Sequence, residues 1–226
     1  MIFQKHSELS GLHAPFSASQ SSWLRYDDDK MLSSYFNKDR KTLGTEIHEY
    51  AKSQIDLTQK VSSTKQLVQS ISTYIYSKYL ASESGKYFDY GLSLIKGVKA
   101  LPPEVFETVK MFVNDAIGYK MSSEVVLYYS DYFFGTADAI SFRNNVLRIH
   151  DLKTGEGKVS MEQLEVYVAL FCLEYKIKPG DIEMELCIYQ NGNVLYHKPT
   201  AEDIVPIMDK IIHSHKLIEK ADYEEV

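Results

Sequence analysis

Residues 135–155, GTADAISFRNNVLRIHDLKTG, carry the clearest local structural signal in the chain. Asn144 and Asn145 predict a two-residue hairpin turn, because asparagine tolerates the positive φ that such turns require. Apolar and polar residues alternate on both sides of the turn, which is typical of paired strands with one buried face. The turn fixes the strand register, so Ile140 should face Ile149 on the buried side. The stretch therefore predicts an antiparallel hairpin.

The same register places two aspartates opposite one another at the end of an apolar stripe. Asp138 should face Asp151, with the two Cβ atoms about 5 Å apart. Like charges this close repel, so one carboxyl group must take up a proton unless a cation lies between them. Lys153 points to the same face as Asp151 and supplies part of that positive charge. A divalent ion with oxygen ligands, Mg²⁺ or Mn²⁺, would supply more.

Composition limits the kind of protein that this chain can be. With 226 residues and 44% hydrophobic content it can bury a substantial core, so one compact domain is expected. The formal net charge of -6 excludes a polycation that coats nucleic acid by charge alone, although it is compatible with a local basic channel. Two cysteines are too few for a disulfide framework or a four-thiolate metal site, which indicates a reducing compartment. Without an apolar leader or an apolar segment of bilayer length, the sequence predicts a soluble cytoplasmic protein.

Helical patterns come first along the chain, and strand patterns follow. The helical ranges are 20–26 after Ser19 as N-cap, 46–55 after Thr45 as N-cap, 63–82 and 103–120. Later patterns predict strands over 124–130, 133–142 and 146–154, a helix over 161–175, a second hairpin over 181–198 around Asn-Gly-Asn, and a closing helix from 201. The other face of the first hairpin carries Ala139, Ser141, Arg148 and His150, a mixture that suits water or a partial cover. This order predicts an α/β or α+β fold with a central mixed β-sheet flanked by helices.

Five ordered motifs carry a resemblance to a known family. They are SASQSSWLRY at 17–26, GTEIHEYA at 44–51, GTAD at 135–138, DLKTG at 151–155, and Gln163 with Tyr167. From residue 17 to about 175 the chain resembles the PD-(D/E)XK nuclease superfamily, specifically its RecB-like and phage exonuclease branch. The resemblance implies a restriction-endonuclease-like core and a single nuclease domain over 1–226. Its expected parts are a helical N-terminal part at about 19–120, a catalytic sheet-and-helix core at about 123–198 and a C-terminal helix at about 201–222.

The resemblance also implies a metal site with a catalytic lysine beside it. Asp138, Asp151, His48 and the backbone carbonyl of Leu152 would bind a Mg²⁺ or Mn²⁺ ion. Asp138, Asp151 and Lys153 would be the catalytic residues. Lys153 would orient or activate the attacking water and stabilise negative charge in the transition state, in agreement with the general chemistry of metal-assisted hydrolysis. An iron–sulfur cluster is not expected, because the members of this branch that carry one use four cysteines and this chain has two.

Four further residues have a functional interpretation, and three of them also have a structural one. By the resemblance, Gln163 and Tyr167 would bind the DNA substrate, and Glu124 would add a carboxylate near the metal. Lys158, in the loop TGEGK at 154–158, could contact the phosphate backbone through its charge. Gln163 could instead close a capping box with Ser160, since S-x-x-Q is the pattern of that motif. Lys158 could be ordinary surface charge, and Glu124 could be a solvated residue at the start of a strand.

Structural alternatives also exist for the other candidate residues. His48 lies on or beside the apolar stripe of its helix, so it could be a partly buried structural histidine. Asp138 and Asp151 could be strand-end residues with Lys153 as their salt-bridge partner. Trp23 and the numerous tyrosines could stack on unpaired bases or pack in the core.

The function implied by the resemblance is metal-dependent hydrolysis of DNA. We expect an exonuclease that acts on linear DNA in phage-type recombination or DNA processing and leaves a 5′-phosphate and a 3′-hydroxyl. The main partner would be DNA that has an end. A single-strand annealing or binding protein and further copies of the chain are additional candidates, and no membrane association is expected. If the chain is encoded by a phage, it would act in the host cytoplasm. The alternatives are a structure-selective DNA endonuclease and a non-catalytic nucleic-acid-binding or regulatory module on the same fold.

Overall fold

The computed structural model describes residues 1–9, 11–35, 103–155 and 157–224. Its helices are α1 (Asp28–Tyr35), α2 (Pro103–Gly118), α3 (Glu162–Tyr175) and α4 (Ala201–Glu224). Its strands are β1 (Ser122–Ser130), β2 (Phe133–Arg143), β3 (Val146–Lys153), β4 (Glu183–Gln190) and β5 (Asn193–His197). Within the same ranges, 3-10 helices lie at Ser7–Leu9, Ala18–Arg25 and Pro179–Asp181. The helices predicted at 46–55 and 63–82, and with them His48, lie outside the described residues.

The described strands form one mixed sheet in the order β1-β2-β3-β4-β5. The pairs β1–β2, β2–β3 and β4–β5 are antiparallel, and β3–β4 is parallel. A parallel pair needs a crossover connection, and α3 provides it between β3 and β4. The predicted α+β fold with a central mixed sheet and flanking helices is confirmed. Among the helices described here, none is both long enough and apolar enough to cross a bilayer.

The first hairpin has the register that its turn predicts. Five registered pairs lead away from the turn and end at Ala139–His150. Asn144 and Asn145 both adopt the left-handed backbone conformation, with φ of 51° and 59°. The two aspartates lie next along their strands, one step beyond the last registered pair. The turn therefore brings both acidic residues to the same end of the hairpin.

Both faces of the sheet are covered by helices. The larger core lies between the sheet and the layer formed by α3 and α4. It takes alternate residues of β3 and β4, together with Phe133, Ala137 and Ile140 of β2. On the other face α2 packs over the sheet, with the Phe112 and Tyr189 rings edge to face at 5.5 Å between centroids. A helical cover, not water, therefore lies over His150, which is 1% exposed. Burial, followed by the charge of Arg148, lowers the pKa of His150 to about 4, so the imidazole is neutral at physiological pH.

The N-terminal segment contributes the single tryptophan to the larger core. Trp23 is buried, and its indole Nε1 donates a hydrogen bond to the backbone carbonyl of Ser17 at 3.0 Å. Core packing, not base stacking on the surface, is therefore the role of this ring. The helix predicted over 20–26 is in fact a 3-10 helix over Ala18–Arg25, and its N-cap lies two residues earlier than predicted. The backbone of Gln20 is non-helical, with φ of -119° and ψ of 50°, which interrupts regular α-helical bonding.

Candidate active site

Asp138, Asp151 and Lys153 come together where β2 and β3 lose their pairing. Asp138 is partly buried in β2, and Asp151 is buried in β3. The Nζ atom of Lys153 lies 3.2 Å from Asp151 Oδ1 and 3.0 Å from Asp151 Oδ2. The lysine side chain is 30% exposed and the aspartate side chain 2% exposed, so the pair reaches solvent through the ammonium group. The counter-charge that the sequence predicts for the acidic pair is therefore in place.

Gln163, in the first turn of α3, connects Lys153 with Asp151. Its Oε1 accepts a hydrogen bond from Lys153 Nζ at 2.7 Å, and its Nε2 donates to Asp151 Oδ1 at 2.9 Å. Just before the helix, Ser160 Oγ accepts a hydrogen bond from the backbone N–H of Glu162 at 3.2 Å and makes no bond with Gln163. The capping-box interpretation of Gln163 is therefore wrong, since its amide faces the acidic pair and not the N-terminus of the helix.

Tyr167 lies one helical turn after Gln163, and its hydroxyl joins Gln163 to the backbone of β2. Its hydroxyl donates to the backbone carbonyl of Thr136 at 2.6 Å and accepts from Gln163 Nε2 at 3.4 Å. Burial, followed by the negative charges of Asp138 and Asp151, holds the pKa of Tyr167 well above its ordinary value. The phenol is therefore protonated and can donate. Tyr167 is only 3% exposed, so its contact with Gln163 lies on the buried side of the site.

Asp138 is held by the backbone of the neighbouring strand. Its Oδ2 accepts a hydrogen bond from the N–H of Leu152 at 2.8 Å. In an extended strand the N–H and C=O of one residue point to the same edge, so the Leu152 carbonyl also points toward β2. This carbonyl and the two carboxylates are hard oxygen donors at one end of the hairpin. That is the ligand chemistry that Mg²⁺ and Mn²⁺ prefer.

The predicted metal ligands are only partly within the described ranges. Asp138, Asp151 and Leu152 are described, whereas His48 lies outside. In the part of the chain that the structure describes, no group of three His, Cys, Asp or Glu side chains is arranged to hold a metal ion. The oxygen donors present fit a metal site made of two carboxylates and a backbone carbonyl, which the resemblance implies is completed by His48.

Glu124 extends the row of acidic residues onto a third strand. The β1–β2 register continues on both sides of it, which places Glu124 opposite Asp138. It is partly buried and has a left-handed backbone with φ of 49° inside β1. Such a conformation costs about 1–3 kcal/mol for a residue with a side chain and concentrates at functional sites. After burial and the charges of Asp138 and Asp151, the charge of Glu124 also raises the pKa of Tyr167.

Comparison with known proteins identifies the family of the chain. A family model described as "Protein of unknown function (DUF2800)" matches residues 13–191. The chain belongs to the DUF2800 family. No curated protein matches it. A solved structure that it resembles is the crystal structure of SSO0001, with 12% identity over 85% of each chain and a TM-score of 0.26, which is too low to show a shared fold.

The DUF2800 match contains the whole candidate site. A cavity of about 360 Å³ opens there, and the polar side chains that line it include Ser19, Ser21, Lys153, Lys158, Gln163 and Gln190. Lys158, a predicted DNA-binding residue, is exposed on the loop that follows β3. The structure thus gathers all the predicted site residues that it describes around the end of β3.

Gln190 is a residue of this site that the sequence motifs do not indicate. It ends β4 just as Lys153 ends β3, and the two are partners in the parallel register. Binding sites of α/β sheets collect at the carboxyl ends of adjacent parallel strands. The sequence could have indicated Gln190 only as the last residue of the strand that follows the crossover helix. That inference requires the parallel pairing of β3 and β4 to be predicted first.

Proposed function

We propose that the protein is a metal-dependent DNA nuclease, and in particular an exonuclease that acts on linear DNA. The observation that carries the proposal is the position of Lys153, whose ammonium contacts both oxygens of Asp151 and the amide oxygen of Gln163. A second carboxylate, Asp138, lies at the same end of the hairpin. This arrangement suits phosphodiester hydrolysis, and it agrees with the roles that the PD-(D/E)XK resemblance implies for these positions.

Each residue around the acidic pair has its own task in this proposal. Asp138, Asp151 and the Leu152 carbonyl, with His48, would bind Mg²⁺ or Mn²⁺, which polarises phosphoryl oxygens and acidifies water. Lys153 would hold the attacking water or offset the negative charge that develops on the phosphate. A compact ammonium group suits either task.

The charge distribution supports a local attraction of DNA to the site. The chain has a formal net charge of -6, so the surface as a whole does not attract a polyanion. Lys153 and Lys158 line one cavity beside the acidic pair, which offers the phosphate backbone a positive point of contact. Gln163 keeps the Lys153 ammonium at the rim of that cavity.

The deciding experiment compares end-labelled linear duplex DNA with covalently closed circular DNA of the same sequence. Each is incubated with Mg²⁺, with Mn²⁺ or with EDTA. We expect the wild-type protein to degrade linear DNA only, and only with metal, and to release products with 5′-phosphates. Lys153→Ala should lower the rate at least about 100-fold, which is typical when one charge-stabilising group is removed from a reacting centre. Lys216→Ala, at an exposed lysine of α4, removes the same charge elsewhere and should keep the wild-type rate.

The other outcomes point to the alternative functions. Cleavage of circular DNA with metal would contradict the exonuclease mode and favour a structure-selective endonuclease. If the wild-type protein degrades neither DNA with any metal but binds labelled DNA in an anisotropy titration, it is a binding module and the nuclease proposal is wrong. Equal rates for wild type and Lys153→Ala would refute the role of Lys153.

A further inference from the structure

We infer that Gln190 is a positioning residue that holds the loop after β3, so that Lys158 can contact DNA beside Lys153. The inference rests on the proposed nuclease function and extends it to a residue outside the motifs. Gln190 is the last residue of β4, and Lys153 is the last residue of β3. Because the two are register partners in adjacent strands, their side chains lie on the same face of the sheet.

The side-chain amide of Gln190 binds the loop backbone at two points. Its Nε2 donates to the carbonyl oxygen of Gly155 at 2.6 Å and to that of Gly157 at 2.8 Å. A carbonyl oxygen only accepts, so these bonds use both N–H groups of the amide, which a methionine of the same length cannot supply. A Cβ on either glycine would meet no atom within 4 Å, so packing does little to fix the loop at these two positions. Since glycine has the most backbone freedom to lose, the two bonds from Gln190 restrain the loop where its backbone is freest.

The loop forms one wall of the cavity beside Lys153, and α3 holds the opposite wall. Lys158 and Lys153 both line the cavity. On the opposite wall, Ser21 Oγ donates to Glu162 Oε2 at 3.1 Å, and Arg25 forms an ion pair with the same carboxylate. Lys153 itself is held by Asp151 and Gln163, so the position of Lys158 relative to it depends on the loop that Gln190 binds. Two positive groups on one cavity suit the negatively charged backbone of DNA.

Limited trypsin digestion tests the restraint on the loop without any need for nuclease activity. Gln190→Met keeps the length and the neutrality of the side chain but removes both donors. We expect cleavage after Lys158, followed by mass spectrometry of the fragments, to become at least about fivefold faster, because proteolysis follows the population of the open loop. Gln4→Met makes the same change at an exposed position near the other end of α3 and should leave the rate unchanged. Unchanged cleavage in Gln190→Met would overturn the inference.

Steady-state kinetics test what the restrained loop does. Gln190→Met should raise KM for linear DNA about tenfold and leave kcat within about twofold of wild type, because Lys153 and the acidic pair are untouched. A merely structural role would lower thermal stability and leave KM at 25 °C unchanged. Faster trypsin cleavage with an unchanged KM would therefore overturn this inference alone, while the proposed nuclease function would stand.

A double-mutant cycle tests whether Gln190 acts through Lys158. Lys158→Ala should also raise KM about tenfold, and the double variant should show about the same tenfold increase if the two residues work as one unit. A roughly hundredfold increase would show independent effects and overturn the inference. If the wild-type protein cleaves no DNA, the same comparison is made on the Kd for labelled DNA. A wild-type protein that neither cleaves nor binds DNA refutes both proposals.

Discussion

Among the glycines that the structure describes, Gly135 is the one at which a side chain is most clearly excluded. A Cβ at this position would lie 3.0 Å from Tyr167 Cε1 and 3.5 Å from the Cβ and backbone N of Ala18. Carbon atoms in contact normally lie about 3.5–4.0 Å apart, so Gly135→Ala requires the ring to move by a few tenths of an ångström. Tyr167 cannot easily move, because it is 3% exposed and its hydroxyl is bonded to the Thr136 carbonyl at 2.6 Å.

The expected cost of Gly135→Ala follows from these contacts. Overpacking of this kind costs about 1–3 kcal/mol, and the reduced freedom of the unfolded chain returns about 0.4–1 kcal/mol. We expect the free energy of unfolding to fall by about 1–2 kcal/mol, which lowers the Tm of a protein of this size by about 2–8 °C. Urea unfolding followed by the fluorescence of Trp23, the single and buried tryptophan, measures the change.

Two further variants separate the steric contact from other causes. Gly118→Ala is the control, because a Cβ at this last residue of α2 would meet no atom within 4 Å, and it should stabilise by up to about 1 kcal/mol. Tyr167→Leu removes the ring that the new Cβ would meet, so in that background Gly135→Ala should be neutral or stabilising. A Gly135→Ala protein as stable as wild type would refute the reasoning. So would an equal loss of stability in the Tyr167→Leu background.

Three other expectations concern the metal, the smaller core and the thiols. Mn²⁺ at one hundred times its Kd should raise the free energy of unfolding by about 2.7 kcal/mol, as measured by scanning calorimetry. The Asp151→Asn variant should lose this stabilisation, whereas the Asp209→Asn variant, changed at an exposed position, should keep it. Tyr189→Phe should lower the free energy of unfolding in urea by about 1–3 kcal/mol, because its hydroxyl donates to the partly buried Asp115 carboxylate at 2.7 Å and lies 3.2 Å from Nδ1 of the buried His150. An unchanged midpoint would contradict this. Burial raises the pKa of Cys172 to about 12 and that of Cys187 to about 11, so at pH 8 both thiols should be protonated and should react with Ellman's reagent only after unfolding.

Features with a strong local signal could be predicted from the sequence. The Asn-Asn turn sets the register of the first hairpin because a two-residue loop leaves the strands one favoured alignment. From residue 103 to residue 201, the predicted starts and ends of helices and strands lie within two residues of the observed ones. Apolar periodicity and turn residues suffice for this, because the spacing of apolar residues within one segment indicates both its secondary structure and its buried face.

Contacts between distant elements could not be predicted in the same way. The S-x-x-Q pattern at the start of α3 was equally compatible with a capping role for Gln163, and only the packing of α3 against β3 brings its amide to Asp151. Glu124 carries no signal for a left-handed backbone, which glutamate seldom adopts. The position of Gln190 beside Lys153 depends on the parallel pairing of β3 with β4, two strands that the whole of α3 separates in sequence. The catalytic role of Lys153 is still a prediction, which the cleavage assay tests.

The tether on Lys153 has a consequence for the speed of any reaction at this site. A lysine side chain has several rotatable bonds, and losing their freedom costs about 1.5–2 kcal/mol. Because Asp151 and Gln163 already hold the ammonium, this entropy is lost once, during folding. If the cation became ordered only after the substrate arrived, the same cost would slow each turnover about 10–30-fold. In the nuclease that we propose, each phosphate would meet an ammonium group that is already in place.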